Sequence, residues 1–400
     1  MRHIITIAAF GFDVRENTNE RGASFVRAFR DEGYKVTHIS TDFDHAQKAY
    51  ISMPLVETVD GVDVVRLHVD KYVKNLSIER ICSHLQFAYK LKQYLNSLSE
   101  KPDYIYCVTP TSTSAYVAGK YCKKHHIPFI VDLIDVWPDS LLPIIKSRLI
   151  NIVLFPWYYI SHKAYRMADY ICGESIKYAT HAHTFNPSAP WSFVYLGVNR
   201  SKIKRLIDSS NVEVPEKKAT IRICYGGDLG NSYGFDGILN ALCYIQEKGI
   251  EYEMYFVGGG EKHEYIQNYV KVHKLNVFIT GKLPYCDYLK YLSTCDIAFN
   301  AFARNTKVVH SYKFNDYMAT NNIVLSNLKG ETADMIDKYH IGMNYTEEKS
   351  GEVLYEICSK WEQYSSYKDN ISHFVDEVLD SDKIYPKVIR DIENLSYEKK

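Results

Sequence analysis

The sequence predicts an α/β chain of two domains, each built on a parallel sheet, on three observations. Short apolar runs alternate with amphipathic helical patterns along most of its 400 residues, the rhythm of βαβ units. In the second half the runs hand over to glycine turns, loops or helices: Tyr225-Gly226-Gly227-Asp228-Leu229-Gly230, Phe256-Val257-Gly258-Gly259-Gly260, Ile279-Thr280-Gly281-Lys282-Leu283-Pro284 and Cys295-Asp296-Ile297-Ala298-Phe299. The rhythm breaks in the charged stretch from Lys202 to Lys218 and restarts at Ile221, so a domain boundary falls near 200–219.

In the first domain, strands are expected at Ile4–Phe10, Lys35–Ile39, Tyr104–Thr109, Phe129–Leu133, Tyr170–Cys172 and Phe193–Tyr195. Arg21–Glu32 and Ile78–Leu98 are expected as helices. Val56 to Val65 alternates around Asp60-Gly61 and predicts a hairpin, taken as a decoration of the sheet rather than a part of it. The second domain reads as strands at Ile221–Tyr225, Glu253–Val257, Val277–Thr280, Ile297–Ala301, Ile323–Ser326 and Ile341–Tyr345, with helices at Asp236–Glu247 and ending at His273. These patterns divide the chain into 1–200 and 201–374.

Lys plus Arg equals Asp plus Glu at 48 each, so no global field favours a polyanion, nucleic acid is not an expected partner, and any anion must be held locally. The nine cysteines form no C-x-x-C pair, and with no secretory signal expected they point to reduced thiols and a cytoplasmic protein. Ile4 to Phe10 reads as a first core strand rather than a signal peptide, because Gly11-Phe12-Asp13 leads into a polar loop. The 34 tyrosines read as core filler. Leu141 to Ile160 is the most apolar stretch, but Pro143, Lys146, Arg148 and Pro156 exclude a spanning helix. An interfacial helix at the inner membrane face and a helix buried against its own domain both fit it.

Ser311 precedes a helical run and is a natural N-cap, so the N–H groups of Lys313 and Phe314 are expected to face outward at the positive end of the helix dipole. A diphosphate fits there, and Lys313 adds a full charge that stabilises a departing nucleotide without a metal. Gly226, Gly227 and Gly230 let the backbone approach a phosphate or sugar, whereas Gly258-Gly259-Gly260 reads as a tight turn. Asp42-Phe43-Asp44 follows a βαβ strand and reads as a solvated loop; His125-His126 and His181-x-His183 lack partners at metal spacing.

The order of these pieces resembles the C-terminal half of family 4 retaining glycosyltransferases, of GT-B fold. The resemblance implies two facing Rossmann-like domains, with nucleotide sugar on the second, acceptor on the first, and a final helix, about 375–400, crossing back to the first. It implies that Asp316 accepts hydrogen bonds from the ribose hydroxyls and that Leu283 stands at the base-edge position. Ser311 to Tyr317 matches the Ser-x-Lys-x-x-acid-Tyr pattern of a subgroup that builds bacterial surface polysaccharides, and Asp135-Val136-Trp137-Pro138-Asp139 resembles its Asp-x-Trp-Pro-acid segment. The resemblance implies that Asp135 faces the cleft as a catalytic residue beside Lys313, hydrogen-bonding the donor sugar or balancing charge at the anomeric carbon; a simple turn cap is the other reading. Gly11 and Arg21 are expected on the cleft wall, with Arg21 meeting a phosphate or acceptor and Thr109 touching acceptor.

The chain departs from the family in four places. Val308 stands where a donor-binding Glu is usual, Asn321 replaces a helix-ending Gly, Ile323 replaces the usual Pro, and Asn231-Ser232-Tyr233-Gly234 lacks the basic residues that grip the diphosphate. Lys313, Arg304 or Lys307 would have to substitute. The implied activity is a metal-independent, retaining hexosyl transfer from a donor expected to be UDP-linked to a glycan or lipid-linked acceptor. A non-catalytic glycan- or partner-binding copy and a sugar-nucleotide epimerase are the alternatives, and the epimerase would need a set of carboxylates and a His around the sugar that is not evident.

Overall fold

The computed structural model describes residues 1–398 other than 11, 16–20, 46, 76, 140–149, 219–220, 305 and 307. It divides into two units, Met1–Gly197 with Ser381–Lys400, and Val198–Asp380. The division therefore falls after Gly197, just before the expected region, and the return to the first unit comes at Ser381 rather than near 375.

The first unit contains β1 (His3–Ile7), α1 (Arg21–Asp31), β2 (Lys35–Thr41), β3 (Phe43–Asp44), β4 (Ala49–Tyr50), β5 (Val56–Val59), β6 (Val62–Leu67), α2 (Ile78–Ser97), β7 (Tyr104–Thr109), α3 (Ser112–His125), β8 (Phe129–Leu133), α4 (Ile150–Met167), β9 (Tyr170–Gly173), α5 (Ile176–His183) and β10 (Trp191–Phe193). Its eight-stranded sheet has the order β10-β9-β8-β7-β1-β2-β6-β5. All neighbours are parallel except β5 and β6. The hairpin is thus no decoration: β6 pairs with β2 from Val36–Val62 to Thr41–Leu67 and extends the sheet. Its Val62, Val64 and Val65 are buried, which the local alternation of polar residues concealed.

The inner strands of this sheet are buried on both faces, as parallel sheets require, and each face has its own core. Phe87 and Leu91 of α2, Ala115 and Ala118 of α3, and Ala164 and Tyr165 of α4 cover one. Phe25 and Phe29 of α1 cover the other together with Tyr385, Val388, Ile389 and Ile392.

The second unit begins with α6 (Arg200–Ser209) and continues through β11 (Ile221–Gly226), α7 (Phe235–Glu247), β12 (Tyr252–Val257), α8 (His263–His273), β13 (Val277–Ile279), α9 (Tyr285–Ser293), β14 (Ile297–Asn300), α10 (Tyr312–Ala319), β15 (Ile323–Ser326), α11 (Glu331–Tyr339), β16 (Gly342–Asn344), α12 (Ser350–Ser359), α13 (Trp361–Tyr364) and α14 (Tyr367–Phe374). Its sheet is parallel throughout, in the order β13-β12-β11-β14-β15-β16. The final helix, α15 (Ser381–Glu398), carries the four apolar residues that complete the second core of the first unit, and Tyr385 receives a hydrogen bond from the Gly197 N–H at 2.8 Å.

Asp42-Phe43-Asp44 is not a solvated loop. Asp42 is buried, accepts the Val69 N–H at 3.1 Å and pairs with His68 at 2.6 Å, while Phe43 and Asp44 form β3 against β4. No described helix is long and apolar enough to cross a membrane.

Candidate active site

The C-terminal edge of the β11–β14 sheet gathers the residues that the second-half motifs single out. Ser311 caps α10 as expected: its hydroxyl accepts from the Phe314 N–H at 3.3 Å and donates to Asn300 at 2.9 Å. This occupies the Phe314 N–H, which was expected to face outward, and Phe314 itself is fully buried. Among the described residues the Lys313 N–H has no internal acceptor, so it is the amide the cap leaves for an anion.

The two glycine crests lock together. Gly227, at φ 120°, takes a backbone conformation that favours glycine, and its N–H bonds the Val257 carbonyl at 3.0 Å. Any side chain on Gly258 would strike the Gly227 carbonyl, and one on Gly260 the backbone of Leu229. The triple glycine is therefore a tight turn that sets the height of the Gly227 loop. Gly226 donates its N–H to the Tyr317 hydroxyl at 2.9 Å and lies against the Tyr288 ring; Gly230 abuts the Asp228 carboxylate. Leu283 lies half-buried between β13 and α9, and the left-handed φ of 61° at Asn321 shows why Asn serves in place of Gly after α10.

Lys313 is buried, and three rings enclose its ammonium: Tyr233 at 3.6 Å, Tyr225 at 4.3 Å and Phe302 at 5.2 Å from the ring centres. Nζ also donates to the Tyr225 hydroxyl at 2.7 Å. A side chain added to Gly227 would come within 3.7 Å of Nζ, so the ammonium lies beside the glycine loop. Burial pushes the Lys313 ammonium down to about 7, against the pull of Asp228 and Asp316. Asp316 is buried too, with Oδ1 bonded by the Tyr285 hydroxyl at 2.7 Å. Burial pushes its carboxyl up to about 7, opposed by the Tyr285 and Tyr288 hydroxyls and by Lys313. One Asp316 oxygen is thus already engaged, and a ribose hydroxyl would share the carboxyl with Tyr285 or displace it.

The basic residues proposed as substitutes fare differently. Arg304 is bound to Glu347 at 2.6 Å and Glu348 at 2.5 Å on an exposed surface, which commits its guanidinium to internal partners. Lys307 lies outside the described residues. Val308 is exposed, and the neighbouring His310 is buried with Nε2 2.6 Å from Asn315.

In the first unit two expectations are corrected, and the contacts of Asp135 are those of one of its two readings. Arg21 is no cleft residue: it is 1% exposed, its guanidinium is bidentate to Asp132 at 2.8 and 2.9 Å, and it donates to the Val194 carbonyl. Thr109 is buried, and its hydroxyl donates to the Asp132 carbonyl at 3.3 Å, so it ties β7 to β8 and is not open to an acceptor. Asp135 accepts from the Trp137 indole at 2.6 Å and the Val136 N–H at 2.8 Å, the contacts of a turn cap. Gly11 lies outside the described residues.

Glu174, which follows β9, was missed. It is 6% exposed, and burial pushes its carboxyl up to about 7, with Arg21 pulling it down and Asp132 and Asp135 pushing it further up. The only signal in the sequence was the strand-to-helix step Cys172-Gly173-Glu174-Ser175. The tyrosines at the second-unit edge were missed as well, although Tyr225 and Tyr233 flank the glycine motif directly.

Comparison of the sequence with family models gives no match, and neither does comparison with the curated proteins. Solved structures do match. Sucrose-phosphate synthase from Thermosynechococcus elongatus superimposes with a TM-score of 0.72 at 13% identity, covering 100% of each chain. The fold is GT-B. WaaG, a glycosyltransferase involved in lipopolysaccharide biosynthesis, matches a GT-B chain such as this with a TM-score of 0.66 at 10% identity over 97% of this chain and 99% of its own. HepE from Anabaena, in complex with UDP-glucose, gives a TM-score of 0.64 at 12% identity over 98% and 100%. At these identities the GT-B likeness concerns the fold.

Proposed function

We propose that this GT-B chain is a retaining glycosyltransferase of the family 4 type that moves a hexose from a UDP-linked donor to a glycan or lipid-linked glycan, without a metal, in capsule or O-antigen-type synthesis. The observation that carries the reading is the Lys313 ammonium, held beside the Gly227 loop at the capped start of α10 with no carboxylate hydrogen-bonded to it among the described residues. WaaG, involved in lipopolysaccharide biosynthesis, and HepE, in complex with UDP-glucose, support it with the same fold.

In this reading the diphosphate meets the Lys313 N–H and ammonium, and the ammonium moves from its aromatic box to the phosphate. A charge held by aromatic faces and one neutral hydroxyl gains more from a dianion than from the rings, which contribute about 0.5–2 kcal/mol. As the bond to the sugar breaks, that charge balances the negative charge growing on the leaving phosphate, which itself takes the acceptor proton. Asp316 holds the ribose hydroxyls; Gly226 and Gly230 shape the wall; Leu283 stands next to the base. Asp135, by bonding the Trp137 indole, fixes the acceptor-side turn and serves as a positioning residue. Peripheral membrane contact has support in exposed apolar side chains along two helices, Ile78, Ile81, Leu85 and Tyr89 on α2 and Ile152, Phe155 and Tyr159 on α4. The stretch 140–149 is outside the described residues.

Incubation with UDP-, GDP- and ADP-sugars, with nucleotide release and product anomer followed by NMR, tests the reading. Release from a UDP-sugar with the anomeric configuration kept supports it; no release with any donor removes it. Two observations favour a non-catalytic binding protein instead: Val308 replaces an acid, and Arg304 is locked to Glu347 and Glu348. Donor binding without release would select that alternative.

A further inference from the structure

Four arginines are buried among the described residues, and three of them have a carboxylate: Arg21 with Asp132, Arg66 with Glu57 and Arg222 with Glu253. Arg80, near the start of α2 and 7% exposed, is the exception. No ion pair reaches it among the described residues. Its guanidinium lies over Trp137 at 4.4 Å, Phe10 at 5.6 Å and Tyr72 at 5.8 Å; one terminal nitrogen donates to the Asn75 carbonyl at 2.8 Å, and Nε has no acceptor. A desolvated guanidinium without a counter-charge is costly, and such groups are normally paired.

The groups around it repeat the pattern. His84, one turn further along α2, is 5% exposed, and neither ring nitrogen has a partner. The Trp157 indole N–H, also buried, has none, and its ring lies 5.6 Å from Trp137 and 6.4 Å from His84. Lys48 reaches His45 at 3.2 Å and Asn75 at 2.6 Å, and lies 4.9 Å from the Tyr72 ring; His45 bonds the Tyr72 hydroxyl at 2.5 Å. Burial, with Arg80 repelling their protons, lowers His84 to about 3, His45 to about 4 and the Lys48 ammonium below its usual range. Asp44 and Asp135 are the carboxylates that act on this cluster from a distance. The Asp135 oxygens are already bonded to Trp137 and Val136.

We propose that this cluster on the first unit is a binding site for a phosphoryl group, with Arg80 as its fork and His84, Lys48 and the Trp157 indole as further donors. A guanidinium presents two parallel N–H groups to an oxyanion, and a dianion with three terminal oxygens answers several cationic groups where a lone carboxylate would answer one. Phe10, Tyr72 and Trp137 supply apolar faces for whatever the phosphoryl group is attached to. The cluster reaches solvent past the partly exposed His45 and Lys48 and the exposed Asn75. The purpose of the site rests on the transferase reading: the group is the phosphate of the acceptor. The binding does not rest on it, because phosphate is measured without a donor.

The test follows the Arg80 Nε–Hε resonance of the full chain by 15N NMR, assigned by its loss in Arg80→Lys, while inorganic phosphate, a hexose phosphate or phosphatidic acid vesicles are added. A saturable shift with the free phosphates assigns a soluble phosphorylated acceptor, and a shift with the vesicles alone assigns a lipid-borne phosphate; both support the site. Arg80→Gln and His84→Phe should each weaken the binding by roughly tenfold or more, while UDP binding at the second unit is unchanged. A resonance that does not move with any of the three overturns the proposal, and it does so in the unaltered protein, whether or not the variants fold. UDP-sugar binding that persists alongside an unresponsive Arg80 sinks this site and leaves the donor reading standing.

Discussion

Two buried cations in this chain have opposite fates, and the contrast separates scaffold from site. Arg21 in the first unit is enclosed with its counter-charge, a bidentate Asp132 that is itself fully buried, and nothing is left over for a ligand. Lys313 in the second unit is enclosed by rings, with its nearest hydrogen bond to a neutral phenol. Burial alone does not mark a functional charge; a buried charge whose internal partner cannot neutralise it does.

The largest effect that tests this contrast belongs to Arg21. Arg21→Met leaves Asp132 as an unpaired buried carboxylate and should cost the first unit about 3–5 kcal/mol in denaturant unfolding. A loss under about 1 kcal/mol would mean that the pair is not structural. Lys313→Ala removes an ammonium that the folded unit desolvates, so its stability should hold or rise while turnover falls by roughly 10²–10³ and donor affinity by less. Equal turnover would take Lys313 out of the mechanism. Asp316→Ala should weaken nucleotide binding by about 1–3 kcal/mol in calorimetry; unchanged affinity in a folded variant would leave the carboxyl to Tyr285 alone.

The smallest effect is in pH dependence. The free Lys313 ammonium titrates near 7, and a diphosphate favours its charged form, so binding takes up a proton above that pH and affinity falls as pH rises from 7. Asp316 also titrates near 7 but accepts best when ionised, so affinity falls as pH drops below it. The two signs together give an optimum near neutrality, with a slope approaching tenfold per pH unit on either side. In Lys313→Ala the alkaline arm should vanish and the acid arm should remain.

Much of the fold could be read from local pattern, because a strand buried on both faces writes itself as an apolar run. Tyr104–Thr109, Phe129–Leu133 and Ile323–Ser326 fall where those runs stand. The role of β6 did not show, since pairing with β2 is a nonlocal fact and the Asp-Gly turn drew attention to its other neighbour. At the candidate site, Ser311 and the glycine crests were legible from capping and turn chemistry. The aromatic box was not: Phe302 comes from a segment far along the chain from the glycine motif that Tyr225 and Tyr233 flank, and in the sequence all three look like any other core residues. Arg21 misled for the same reason, because its partner Asp132 lies on a strand 111 residues away.

The most direct measurement is a crystal structure of the chain with UDP. The account predicts the diphosphate at the capped start of α10, with a phosphate oxygen about 3 Å from both the Lys313 N–H nitrogen and Nζ, and the ammonium drawn out of its aromatic box. A diphosphate bound anywhere else, with Lys313 still enclosed by Tyr225, Tyr233 and Phe302, would contradict it.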